Sequence, residues 1–240
     1  MPHGATARLF VALDPPAQAR RALAGWARAA AGAIAGPSTG QGRGAMRLLD
    51  AEQLHLTLCF LGARPVEEIG ALAAALEGCE AHVGELSLGG PLWLPPRHPR
   101  ALAVAVGNPD GTLERLAHSV AVALAAAGGW EPERRRFRAH ITVARLPGGG
   151  RSPRRGAERP GPLPPTPALC FLPGSMSLYR SWLEPSGAIH EPLLSWSLQQ
   201  PQLSSTPAKG SGSQYSVSVA AESTSVLPAG HRGSEPSAHS

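Results

Sequence analysis

His55-Leu56-Thr57 and His140-Ile141-Thr142 are two copies of one short pattern, a histidine and a threonine separated by one aliphatic residue. Imidazole titrates near neutrality, so of two facing rings one can accept a proton while the other donates one. A hydroxyl beside each ring can donate a hydrogen bond to a non-bridging phosphate oxygen and help hold developing negative charge. Together the four side chains suit displacement at a phosphodiester, with the attacking oxygen opposite the leaving oxygen and no metal required. Both copies lie in apolar runs, Leu54 to Leu61 and Ala139 to Leu146, that read as strands. Strand alternation puts His55 and Thr57 on one face and Leu56, Leu58 and Phe60 on the other, and sets His140 and Thr142 against Ile141 and Val143. A single His-x-Thr in a strand is usually only a packed histidine beside a β-former. Its recurrence in matching contexts carries the chemical reading.

The elements around the two copies repeat as well. Before His55 comes a strand, Arg8 to Leu13, and then a helix with Asp14 as N-cap and Pro15 at its first position. The apolar stripe of that helix runs through Ala19, Leu23, Trp26, Ala27 and Ala30. Before His140, Ala101 to Val106 reads as a strand, and Leu113, Leu116, Ala117, Val120 and Leu124 mark a helix that ends near Gly128-Gly129. Strand, helix and His-x-Thr strand thus occur twice, with little residue identity between the copies. This order predicts an α+β fold of two pseudo-symmetric lobes of antiparallel sheet with outer helices, and a central cleft where the histidine faces meet. Arg64 to Glu80 shows a helical stripe through Ile69, Leu72, Ala73 and Leu76. Gly84 to Leu94 pairs with Ala101 to Val106, and Met176 to Trp182 and Ile189 to Leu198 read as closing strands.

Four segments, Arg8-Leu-Phe-Val-Ala-Leu-Asp-Pro-Pro16, His55-Leu-Thr-Leu-Cys-Phe-Leu-Gly62, Phe137-Arg-Ala-His-Ile-Thr-Val-Ala-Arg145 and Leu178-Tyr-Arg-Ser181, resemble the RNA 2′,3′-cyclic phosphodiesterases of the 2H phosphoesterase superfamily, the LigT-like group. The resemblance runs from about Arg8 to Leu198. It implies hydrolysis of RNA 2′,3′-cyclic phosphate ends to 2′-phosphomonoesters, with His55 as proton donor to the leaving oxygen and His140 as proton acceptor activating water. It further implies Thr57 and Thr142 as phosphate-binding residues, no cofactor, no metal, and an RNA end as partner. The residue pattern by itself treats the two histidines alike. The same site run in reverse would make a 2′,5′ linkage, and small nucleotide cyclic phosphates are alternative substrates. A non-catalytic RNA-end-binding protein is an alternative of a different class. Two positions depart from the family: Ala139 stands where a proline often precedes the second histidine, and His190 where an aromatic residue is common. These changes touch the local backbone and the ribose or base contacts.

The net charge of +5 favours an anionic partner, and since Lys209 and Arg232 are balanced by Glu222 and Glu235, the excess belongs to residues 1–198. Arg134, Arg135, Arg136 and Arg138 lead into His140, and Arg151, Arg154, Arg155 and Arg159 follow it in a Gly-, Pro- and Arg-rich loop, 147–167. Arg100, Arg138 and the four loop arginines are candidate RNA contacts. The chain carries 21 Arg and one Lys amid abundant Ala, Gly and Pro, a mark of GC-rich coding, so arginine number alone does not identify an RNA face. Arg145 has parity opposite to His140 and reads as structural. Three cysteines without a CxxC pair, no secretory leader and no apolar stretch of membrane length point to a soluble monomer of the reducing cytoplasm. Cys59 shares the His55 face by parity, while Cys79, in a helix, and Cys170, in a strand, read as small core residues. His82, His98 and His118 read as surface positions. From Gln199 the sequence is rich in Ser, Gly, Pro, Ala and Gln, which divides the chain into a 1–198 domain and a disordered 199–240 tail with His231 and His239 solvated. Within the tail, Tyr215 to Ala221 alternates like a strand but has no obvious partner.

Overall fold

The computed structural model describes residues 5–35, 46–79, 82–133, 135–146, 162–184 and 187–198. Nine strands and three helices follow in chain order as β1 (Thr6–Asp14), α1 (Ala17–Ala35), β2 (Arg47–Leu48), β3 (Leu56–Pro65), α2 (Ile69–Glu77), β4 (Leu86–Leu94), β5 (Ala101–Gly107), α3 (Thr112–Ala126), β6 (His140–Arg145), β7 (Cys170–Phe171), β8 (Ser175–Glu184) and β9 (Gly187–Ser197). The sheet runs β7-β4-β5-β6-β3-β1-β8-β9, with β2 added to β6, and every pairing is antiparallel. β3 and β6, the two His-x-Thr strands, join its halves through a single residue pair, Leu56 with Ile141. On one side of that joint lies β1-α1-β3 with β8 and β9; on the other lies β5-α3-β6 with β4 and β7. The predicted duplication is therefore the architecture.

One face of the sheet is apolar and the helices cover it. Leu9, Val11 and Leu13 of β1, Leu56 and Leu61 of β3, Leu102 and Val104 of β5, Ile141 and Val143 of β6, and Met176 and Leu178 of β8 share one core with Leu23, Trp26 and Ala27 of α1, Leu72 and Leu76 of α2, and Leu113, Leu116, Val120 and Leu124 of α3. Full burial of each such Leu, Ile or Val contributes about 1.5–3 kcal/mol before conformational entropy is subtracted. The helices take this face because their stripes recur at helical spacing, whereas the opposite sheet face keeps its polar residues. Trp26, on α1, also donates from Nε1 to the Pro164 carbonyl at 3.0 Å, and Thr166 donates to the Gly89 carbonyl at 2.7 Å, so the end of the 147–167 loop is tied to both lobes.

Three features differ from the sequence reading, two of them helix starts set by proline. α1 starts at Ala17, and Asp14 is the last residue of β1 instead of the helix cap. A residue before proline is pushed out of the helical region, so Asp14 and Pro15 stay extended ahead of Pro15 and Pro16. Likewise the helix expected from Arg64 begins only at Ile69, after a 3₁₀ turn at Val66–Glu68, because Arg64 precedes Pro65 and remains paired with Ala7 in the strand ladder. The third is Cys170, which lies exposed on the short strand β7 while its neighbour Phe171 is buried. His82, His98 and His118 are exposed, as read from sequence. Among the described residues no helix is long and apolar enough to cross a membrane. Arg134, the loop arginines Arg151, Arg154, Arg155 and Arg159, the run 215–221 and the whole of 199–240 lie outside the described residues.

Candidate active site

The joint between the lobes fixes the geometry of the site. Leu56 and Ile141 are fully buried and paired, so each strand sends the preceding histidine and the following threonine to the opposite face. Because the strands are antiparallel, each histidine then lies across from the other strand's threonine. Strand spacing and residue rise set the two histidine Cα atoms roughly 8 Å apart, a gap that a phosphodiester can fill. His55, Thr57, His140 and Thr142 are all partly accessible. The two rings are held identically. His55 donates from Nδ1 to the Gln53 carbonyl at 2.8 Å, and His140 donates from Nδ1 to the Arg138 carbonyl at 2.7 Å. A carbonyl only accepts, so Nδ1 carries the hydrogen in both rings and each Nε2 is left to exchange a proton with a ligand.

Beyond each threonine the ladder skips one residue. The register passes from Ala12–Thr57 to Val11–Cys59, omitting Leu58, and from Ala103–Thr142 to Leu102–Ala144, omitting Val143. These are matching β-bulges, and each reverses the alternation of the strand that follows. Cys59 and Ala144 consequently pack on the core, and the residues five positions after each histidine, Phe60 and Arg145, return to the histidine face. This corrects three expectations: Phe60 is 54 % exposed and its ring lies 6.0 Å from that of Phe10, Cys59 is turned away from the site, and Arg145 acts electrostatically on His55 and His190. Burial pushes the Cys59 thiol up to about 12, which leaves it unreactive.

The inner strands differ between the lobes. In register with one another, β1 presents Phe10, Ala12 and Asp14 to the site face where β5 presents Ala101, Ala103 and Ala105. Phe10 stacks on Tyr179 at 5.0 Å and 7°, lies 4.9 Å from the His55 ring, and meets His190 edge-on at 5.1 Å and 83°. Tyr179 donates to Asp14 Oδ1 at 2.6 Å, while Ser175 and Ser177 donate to Oδ2 at 2.7 and 2.6 Å. Burial and the Asp14 carboxylate raise the Tyr179 phenol, keeping it a donor. His190 stands perpendicular to His55, 5.2 Å away at 88°. Burial first, and His190 second, lower His55 to about 4, against the opposing effects of the Gln53 carbonyl and Asp14.

Basic residues edge this arrangement. Arg47 and Arg145 are register partners, and both lower His190 after the larger effect of its burial. The Arg47 guanidinium lies over Gly187, at φ 132°, where any Cβ would collide with it. Arg100 and Arg138 are exposed, with the Arg138 carbonyl engaged by His140. Arg136 and Arg138, with Glu114 and Phe137, line an open hollow of about 400 Å³ next to His140. Among the described residues no three His, Cys, Asp or Glu side chains are grouped to hold a metal ion. Sequence reasoning missed the roles of Phe10, Asp14, Tyr179, Arg47 and His190. The matching step of five from histidine to Phe60 and Arg145 is a signal the sequence does contain.

No family model matches the chain. It is 33% identical over 106 residues to an RNA 2′,3′-cyclic phosphodiesterase of Aeropyrum pernix, a match that spans 43% of this chain and 58% of that protein's length. A crystal structure of a phosphoesterase superposes with a TM-score of 0.62 at 27% identity, covering 82% of this chain and all of that one. LigT of E. coli complexed with 3′-AMP superposes with a TM-score of 0.61 at 26% identity over the same shares, and the same protein complexed with ATP does so at 25% identity. In fold, then, this chain is similar to LigT and to the phosphoesterase that superposes on it, and in sequence it matches part of the Aeropyrum protein.

Proposed function

We propose that the protein hydrolyses 2′,3′-cyclic phosphate ends of RNA to 2′-phosphomonoesters without a metal or cofactor, using residues 1–198 as the catalytic domain of a cytoplasmic monomer. Water attacks phosphorus as His140 Nε2 takes its proton; the bond from phosphorus to the 3′ oxygen breaks, and His55 Nε2 returns a proton to that oxygen. Thr57 and Thr142 donate to the non-bridging oxygens, and their register partners, Ala12 and Ala103, carry only methyl groups beside these hydroxyls. The observation that carries the reading is the pair of identically clamped imidazoles on either side of the Leu56–Ile141 joint, each held through Nδ1 so that, among the described residues, Nε2 makes no hydrogen bond. The Aeropyrum relative's name and the 3′-AMP complex of LigT support a nucleotide phosphate in this place. On the substrate side, Phe60 offers an exposed ring to a ribose or base, and Arg145 a cation to phosphate.

The test is a turnover assay on an RNA oligonucleotide ending in a 2′,3′-cyclic phosphate, run with excess chelator and read for product regiochemistry. The expected product is the 2′-phosphomonoester at an undiminished rate. A 3′-phosphate product, or activity abolished by chelation and restored by a divalent ion, would sink the mechanism; binding without turnover would leave only an RNA-end binder.

A further inference from the structure

The surroundings of His190 are unusual for a packing residue. It lies on β9 opposite Ser181, perpendicular both to His55 and to Phe10. Its Nδ1 is buried and has no hydrogen-bond partner among the described residues. A phenyl ring in that place would fill the same space with no buried nitrogen left unpaired, so packing alone does not account for an imidazole. The charged and titratable groups around the two rings are Asp14 on β1, Arg47 on β2, Arg145 on β6, Tyr179 on β8 and Glu191 beside it on β9. Arg145 and a second imidazole thus oppose a proton on His55, Arg145 and Arg47 oppose one on His190, and Asp14 favours one on His55. An anion placed between the two His-x-Thr strands would offset both arginines and reverse that balance.

We propose that His190 is a positioning residue for His55: it holds the imidazole edge-on in the cleft and makes arrival of the substrate's phosphate anion the event that protonates the acid. In the empty site His55 is a neutral imidazole whose one ring hydrogen is on Nδ1. Binding of the anion draws a second proton in from solvent, and His55 then holds the hydrogen it gives to the 3′ oxygen. The inference rests on the acid role of His55 proposed above.

The test compares wild type with His190→Phe, and uses 3′-AMP as the probe for binding. Calorimetric titrations in buffers of different ionisation heat count the protons taken up per nucleotide bound. Wild type is expected to take up protons near pH 6.5; His190→Phe, lacking the second imidazole, should take up measurably less and shift the alkaline limb of its kcat/KM profile, which reports the acid, upward by about one pH unit. Should the variant fold poorly, ¹³C-labelled histidine NMR on wild type decides instead: the His55 signal must titrate in two steps as a coupled pair, and a single step would overturn the proposal. Identical proton uptake and pH profile in wild type and His190→Phe would also overturn it. If His55→Ala turns over normally, the acid–base reading itself has failed. If His55→Ala is inactive while His190→Phe is unshifted, only the role of His190 is lost.

Discussion

The two lobes carry the same strand, the same bulge one residue past the threonine and the same carbonyl clamp on the ring, yet they surround their histidines with different side chains. His55 sits among Phe10, Tyr179 and His190; on the β5 side, His140 has the alanines Ala101, Ala103 and Ala105 across the matching positions. Five residues past the histidine one lobe offers a phenyl ring and the other a guanidinium. Backbone geometry is therefore duplicated, and what distinguishes the two histidines lies in their neighbours. Burial holds His55 below its ordinary pKa, with the second imidazole adding to the effect.

The largest effect should come from breaking the shared part. His55→Ala and His140→Ala are each expected to lower turnover by on the order of 10² to 10⁴ while leaving the thermal midpoint nearly unchanged, since neither ring belongs to the core. Steady-state assays with thermal melts check this. Wild-type turnover in either variant would end the symmetric reading.

Asp14 tests the part that is not shared. Its carboxylate accepts from Ser175, Ser177 and Tyr179, so Asp14→Ala removes the shared acceptor of three hydroxyls and leaves Ser177 its contact with Ser195. A loss of about 2 kcal/mol or more is expected, a fall in Tm of several degrees. Ala105→Ser, at the matching position of the second lobe, should change stability by less than about 1 kcal/mol. Equal losses in the two variants would mean that the hydroxyl cluster contributes nothing particular.

These contrasts also show what was legible in the chain. Two His-x-Thr strands with preceding strands and helices could be read because hydrophobic periodicity is local, and the core stripes Leu23, Trp26 and Leu113, Leu116 fell where the spacing put them. Parity arguments held only as far as the first bulge. A bulge is a property of two strands in register, so alternation within one strand does not show that Phe60 and Arg145 turn back to the site; only their shared step of five from the histidines hints at it. Asp14 was read as a helix cap because its partners on β8 lie far along the chain. His190 was visible as a departure from the family, but its contact with His55 depends on the β8–β9 and β1–β8 pairings together.

Acidity should separate the lobes more gently. The folded His55 titrates at about 4 against an unfolded value of 6.5, so the unfolded chain binds a proton first as pH falls. Stability tied to this residue is complete above pH 6.5 and is lost progressively towards pH 4. Since the ring is partly accessible, about 1 to 2 kcal/mol is a reasonable size after solvent screening. Urea unfolding at pH 7 and pH 5 measures it, with His55→Phe expected to flatten the difference and unchanged pH dependence in that variant assigning the loss to other groups.

The smallest effects concern segments that only one lobe possesses or that neither does. Residues 147–167 follow β6 directly, whereas β3 passes by a 3₁₀ turn into α2, so any RNA grip from Arg151, Arg154, Arg155 and Arg159 is an addition to the second lobe alone. Neutralising the four together should raise KM for a long RNA several-fold and flatten its salt dependence, while leaving a mononucleotide cyclic phosphate untouched. An equal effect on both substrates, or none on either, would make them a solvated face. Deleting 199–240 should change neither measurement. That stretch lacks a periodic apolar face and its charged residues cancel. A truncated chain that melts several degrees lower, or turns over more slowly, would show instead that residues beyond 198 complete the first lobe.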